Sequence, residues 1–295
     1  MDYVTIDLPG AVMQTIAVIT DTDSSIPFVL AAHLNLYQVP MTIHFGEESY
    51  EAVYAVNDAD TFRRIDKEGK LPTTAAPPPG KFMDAYKNAF DAGAKQIICL
   101  CVSSEVSATY NAAVAACEYF PGREIKVIDS RTLSMGLGYM ALAAAEAAAN
   151  GASMNEISHI IEDIRQRTYL FAALTTLKYL AMGGRVSNLA ASMANMLNVK
   201  PILTIRDGSL DMLERVRTEK KAWERVIELS AINTGDRHIE KMSILHVNAP
   251  DKAKKFALEI RTRMHCPSDI LIVEVNPGLS VHSGAGMVGT VFVVK

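Results

Sequence analysis

The stretch "IAVITDTDSS", residues 16–25, sets the fold class. Ile16 to Ile19 are apolar without alternation, and the run stops at Asp21, Asp23, Ser24 and Ser25. A strand buried on both faces reads this way, and such strands belong to parallel sheets covered by helices. The polar residues that end it fall where such a sheet opens at its carboxyl edge, the usual place for a ligand in open α/β folds. Pro27 then suits the first turn of a helix over 26–36.

Working outward, the alternation repeats. Residues 37–45 ("YQVPMTIHF"), 96–102 ("QIICLCV") and 125–130 ("IKVIDS") read as further strands of the same sheet. "DADTFRRIDKEGK" predicts a helix running into Gly69, whereas the prolines of "LPTTAAPPPG" cannot continue it. Helical periodicity returns in "KFMDAYKNAFDAGA", and a long alanine-rich helix is expected over 135–149. Beyond 150–165 the texture changes. "IRDGSL" reads as a hairpin turning at Asp207-Gly208. The expectation is therefore two α/β domains, 1–155 with a mainly parallel sheet flanked by helices and 156–295 with a smaller mixed sheet. Residues 1–12 read as a loose leader.

Composition narrows the function. Lys plus Arg number 29 against 33 acidic residues, a net charge of −4 with no long basic block, so nucleic acid is not an expected partner. Cys99, Cys101, Cys117 and Cys266 form no zinc or disulfide framework and read as reduced thiols, Cys99 and Cys101 on one face of a strand. No secretory signal is visible, and the 136–149 segment is too short and mild to span a bilayer. A cytoplasmic protein without an integral membrane segment is the expectation. No histidine pair has metal-ligand spacing, and neither metal nor cofactor is predicted.

Two chemistries compete at the strand ends. Asp21 and Asp23 resemble the start of a haloacid-dehalogenase-type phosphatase, with Asp21 as nucleophile, Asp23 as second carboxylate and magnesium offsetting the charge. A later acidic partner and a lysine loop are not evident, and short acidic and hydroxyl side chains also cap helices. The other chemistry is passive. Hydroxyls recur at "DTDSS" (21–25), "PTT" (72–74), "VSSEVSATY" (102–110) and "DSRTLSMGLG" (129–138). Asp23, Ser24, Ser103, Ser104 and Ser107 thus gather at one sheet edge, where hydroxyls and amides can satisfy a carboxylate without a lysine. No histidine is matched to those serines as a base. Gly136 and Gly138 read as close packing at a helix start. Gly183 and Gly184 permit a tight turn before Arg185, and His282 stands apart from the other histidines in a glycine-rich loop.

Taken in order, "TDTDSS", "VPMTIHF", "PTTAAPPPGKF", "SSEVSATYNAA", "VIDSRTLSMGLG", "YLAMGGRVS", "RVRTEKKA" and "VHSGAGMVG" resemble the DegV family of bacterial lipid-binding proteins across nearly the whole chain. The resemblance implies a non-enzymatic carrier that buries a long-chain fatty acid and holds its carboxylate at the domain junction. It also implies a partner, a separate ATP-dependent fatty acid kinase that phosphorylates the presented carboxylate. By motif it implies ligand roles for Thr74, for one of Ser103 and Ser104, for Arg217 and for His282, with Gly183, Gly184 and Arg185 as the Gly-Gly-Arg turn. Ala75 and Ala76 replace the family's serine and glutamine, Ala108 a glycine and Ala285 a proline. Apolar segments such as "YLFAALTTLKYLAM" and 14 methionines suit a channel for a flexible tail.

Overall fold

The computed structural model describes residues 15–183 and 199–295. The leader expected over 1–12, and Gly184 and Arg185, lie outside them.

The first sheet has the order β2-β1-β6-β7 and is parallel throughout, from β1 (Ile16–Asp21), β2 (Tyr37–Val39), β6 (Gln96–Cys101) and β7 (Glu124–Asp129). Both faces are covered, which explains the unbroken apolar runs. Ile98 and Leu100 pack with Leu137 and Met140 of α5 (Met135–Ala149). Ile97, Cys99 and Cys101 pack with Phe82 and Tyr86 of α3 (Pro79–Asp91). Cys99 and Cys101 do share a face, with sulfurs 3.9 Å apart and buried.

The 37–45 region is two strands rather than one. Pro40, which has no amide hydrogen, separates β2 from β3 (Thr42–Phe45). β3 instead centres a small antiparallel sheet between β4 (Glu48–Glu51) and β5 (Thr73–Ala75). The proline-rich segment thus supplies an edge strand. α1 is shorter than expected, Phe28–His33, whereas α2 (Asp58–Glu68) stops at left-handed Gly69 as predicted.

The second sheet is mixed but is the larger of the two, with six strands in the order β10-β9-β8-β13-β11-β12. These are β8 (Thr168–Ala173), β9 (Lys200–Arg206), β10 (Ser209–Val216), β11 (Ile239–His246), β12 (Leu271–Glu274) and β13 (Val288–Val294). Asp207 and Gly208 turn the β9–β10 hairpin with φ of 51° and 85°, as their sequence predicts. One face, with Phe171 and Phe292, packs on α8 (Glu219–Thr234) and α9 (Pro250–Arg263). The other face looks toward the first half. Its central row, Met212–Leu203–Ala172–Gly289–Leu245–Val273, crosses all six strands. At ~4.8 Å per strand the row is about 24 Å long.

α5 lies between the sheets, touching β1 and β6 on one side and β8 and β13 on the other. It is apolar all round, and its alanines let two sheets approach one helix. Cβ atoms at Gly136 and Gly138 would meet the Thr132 hydroxyl at 2.6 Å and the Ser24 carbonyl at 2.8 Å, so both glycines are packing residues. α6 (Met154–Arg167) follows behind a Ser153–Glu156 capping box.

Candidate functional site

The carboxyl end of the first sheet is organised by Asp21. One of its oxygens accepts the Asp23 amide (2.9 Å) and the other the Val102 amide (2.8 Å), tying the end of β1 to that of β6. Burial pushes its carboxyl up to about 7, against the pull of those two amides. Both oxygens are occupied by backbone, so Asp21 is a brace, and the geometry does not support it as the nucleophile of an aspartyl-phosphate enzyme. Among the described residues, no three His, Cys, Asp or Glu side chains are grouped to hold a metal.

The turn beyond it is tightly specified. Ser134 donates its amide to the Asp23 carbonyl (2.8 Å) and its hydroxyl to that of Ser25 (3.1 Å). Ser25 and Ser134 have φ of 53° and 50°, conformations costing roughly 1–2 kcal/mol each, and their mutual bond helps hold them.

Against this edge lies a cavity with an empty volume of about 800 Å³, part of it open to solvent. Leu203, Ala172, Leu170 and Leu245 of the second sheet line it, with Met41, Val106 and Leu133 from the first half. At its polar end Thr74 of β5 and His282 of α10 (Pro277–Ser283) meet, with Oγ1 and Nε2 2.8 Å apart. Asp23, Ser107, Ser134 and Ser283 also line the cavity. The Ser107 hydroxyl pairs with that of Thr109 at 2.7 Å.

α10 is clipped to the first half at three points. The Asn276 amide donates to the Thr22 carbonyl, the Ser280 hydroxyl to Asp58 Oδ1, and His282 joins Thr74. Two glycines allow the close fit. A Cβ at Gly278 would fall on the Asp23 carboxylate, and one at Gly183 on the His282 ring. Gly183 closes α7 (Lys178–Met182) with φ of −81°, so proximity to the ring, not a left-handed turn, explains it. Asp58 is buried, and burial pushes its carboxyl up to about 8, helped by the nearby Glu274 charge and opposed by the Ser280 bond. Its Oδ2 and the Thr61 hydroxyl one turn on have no hydrogen-bond partner among the described residues. A neutral carboxyl fits there, because an ionised oxygen without a donor is costly to bury.

The sequence-derived candidates therefore separate. Thr74, His282, Asp23 and Ser107 come together at the cavity. Ser103 and Ser104 are not in its lining. Ser103 is buried and receives the Glu105 amide, while Ser104 donates to Asp129 at 2.6 Å. The turn after β6 directs Ser104 to Asp129 at the end of β7 and the Ser103 hydroxyl toward Gly208 of the β9–β10 hairpin, and the segment lines the cavity at Val106 and Ser107. Ser24 also faces away, donating to Gln38 at 2.9 Å. Arg217 is exposed just past the end of β10. Leu210, near the start of that strand, lines the cavity, and Arg217 lies about 23 Å further along the strand direction. Ala75 and Ala76 are absent from the lining. Ser134, Gly278 and the Asp58–Ser280 pair were not singled out in the sequence. Ser134 lay within a hydroxyl-rich segment, and the Pro-Gly start of α10 was the available signal for Gly278.

The sequence matches the family profile described as "Uncharacterised protein, DegV family" over residues 15–295. A DegV domain-containing protein of Halalkalibacterium halodurans is 32% identical over 277 residues, 94% of this chain and 98% of the relative. Among solved structures, a fatty-acid-binding DegV family protein of Thermus thermophilus superposes with a TM-score of 0.89 at 26% identity, covering 95% of this chain and 100% of the other. DegV of Bacillus subtilis, described as a fatty acid binding protein, gives 0.85 at 26% identity over 96% and 100%.

Proposed function

The chain belongs to the DegV family, and from that premise we propose that it binds one long-chain fatty acid with the tail across the second sheet and the carboxylate at the Thr74–His282 end. The observation that carries this reading is the slot itself. One wall is the apolar inner face of the second sheet, with Ala172, Leu203 and Leu245 of its central row in the lining, and the polar end holds the Thr74–His282 hydrogen bond flanked by hydroxyls. Each buried methylene contributes about 0.8 kcal/mol, so a tail of about fifteen yields roughly 12 kcal/mol before ordering costs. The head-group residues then fix orientation more than they supply affinity. Thr74 and Ser107 offer hydroxyl donors, and His282 offers a ring nitrogen whose role depends on its tautomer. The Thermus and Bacillus proteins, both described as binding fatty acid, support the same assignment.

The role is that of a cytoplasmic carrier, not an enzyme. It presents the carboxylate to a separate ATP-dependent fatty acid kinase, which supplies metal, nucleotide and chemistry. Among the described residues no helix is long and apolar enough to cross a membrane. Native mass spectrometry of the purified protein, before and after organic extraction, tests the binding role. A mass excess of one fatty acid, lost on extraction and restored by adding the acid, is expected. A lipid-free protein that takes up none would refute it.

A further inference from the structure

The acyl slot has a neighbour. A second recess, enclosing about 760 Å³ and partly open, lies beyond Leu170 on the same face of the second sheet. Its lining is polar, with Arg131, Thr132 and Gln166 among it. Arg131 is anchored to Glu105 at 3.2 Å and to the Asp207 carbonyl, so the recess is a built feature of the junction. Among the described residues, Leu170 is the one side chain that lines both spaces. It is buried, 6% exposed, and fixed in place by the pairing of β8 with β13, where it lies opposite Val291.

The geometry points to Leu170 as the stop that sets how long an acyl chain this protein takes. This rests on the fatty-acid reading above. The head group is placed by α10, which follows β12 at one edge of the sheet, and Leu210 lines the slot near the β9–β10 hairpin at the other edge. Leu170 closes the wall on the side of that hairpin, where Asp207 and Gly208 border the polar recess. A terminal methyl that reaches Leu170 remains in apolar surroundings. A longer chain must displace the leucine or double back, and each methylene it fails to bury forfeits about fourfold in affinity.

Displacement of a fluorescent fatty acid by saturated acids of increasing length, in wild type and in Leu170→Ala and Leu170→Val, tests the assignment. The full-length protein is delipidated first and each variant's fold is checked by thermal melting. Leu170→Ala should move the optimum to acids longer by about two to four carbons, with a gain of about fourfold per added methylene. Leu170→Val, a cut of one carbon that is the milder for the core, should move it in the same direction by less. A folded variant whose optimum coincides with that of wild type would overturn the assignment. Should wild type bind no acid of any length, the fatty-acid reading itself fails and this inference with it, an outcome told apart because it appears before any substitution is made.

Discussion

At the scale of single residues, Thr74 and His282 are the pair to which the proposal assigns the orientation of the fatty acid. Thr74 is on an edge strand of the first half and His282 on a short helix of the second, and their 2.8 Å contact is one of the few direct bonds between them. Replacing the hydroxyl by a methyl of the same shape, Thr74→Val, removes one polar partner from the carboxylate end and keeps the packing. Fatty-acid affinity should fall about tenfold, equal to roughly 1.4 kcal/mol, with little change in melting temperature. Titration calorimetry with the delipidated protein reads both affinity and stoichiometry. These two residues were legible because hydroxyls and a histidine are unusual in such glycine- and proline-rich sequence, and because the DegV resemblance aligned them; the segment read as a loop around His282 is helix α10. Ser103 and Ser104 show what such reading leaves open. A strand end fixes which hydroxyls are near the edge, but a turn of three residues decides which of them faces the cavity, and Ser107 rather than its neighbours does so.

At the scale of elements, α10 and α3 form a natural pair of controls, since both begin Pro-Gly. In α10 the glycine faces Asp23 and Met41, whereas around Gly80 of α3 nothing lies within 4 Å of an added Cβ. Gly278→Ala should therefore destabilise by about 1–3 kcal/mol through overpacking and weaken fatty-acid binding by shifting α10. Gly80→Ala should be neutral or stabilising by up to about 1 kcal/mol from helix propensity. Urea melts of the two variants distinguish a crowded glycine from an unencumbered one. Helix α5 was legible from its alanine-rich apolar run, in which Glu146 is the one charged residue. The split of 37–45 was not visible, because two short strands with a proline between them share the pattern of one bulged strand. The small third sheet was hidden for a related reason. Its partner β5 is a three-residue strand inside a proline-rich segment, and its register is fixed by tertiary pairing alone.

At the scale of the whole molecule, the buried Asp58 couples stability to pH. Its carboxyl is ordinary and ionised in the unfolded chain above about pH 4, but folded it is pushed up to about 8. Between these values folding takes up a proton, so this group's contribution to stability declines as pH rises through the window and levels off above the folded value. Asp21 behaves alike only up to about 7. From pH 7 to 8 Asp58 therefore dominates the two, and wild type should lose about 1 kcal/mol there. Asp58→Asn, which still accepts from Ser280, should lack that loss, as thermal melts at pH 7.0 and 8.0 would record. Of the molecular plan, the parallel first sheet and the hairpin at Asp207-Gly208 were plain in the sequence. The size of the second sheet was not, since its strands alternate between a helix-covered face and a cavity face that are both apolar.

The sheet wall of the slot has a mechanical corollary. A ladder of paired backbones cannot dent at one point without parting several amide bonds together, so that side of the compartment acts as an anvil of fixed shape. Whatever give the protein has for bent or branched cargo must come from the opposite side, where Met41, Val106 and Leu133 stand on turns and loop segments. Under the fatty-acid reading, selectivity for the outline of a hydrocarbon is thus written in the first half of the chain.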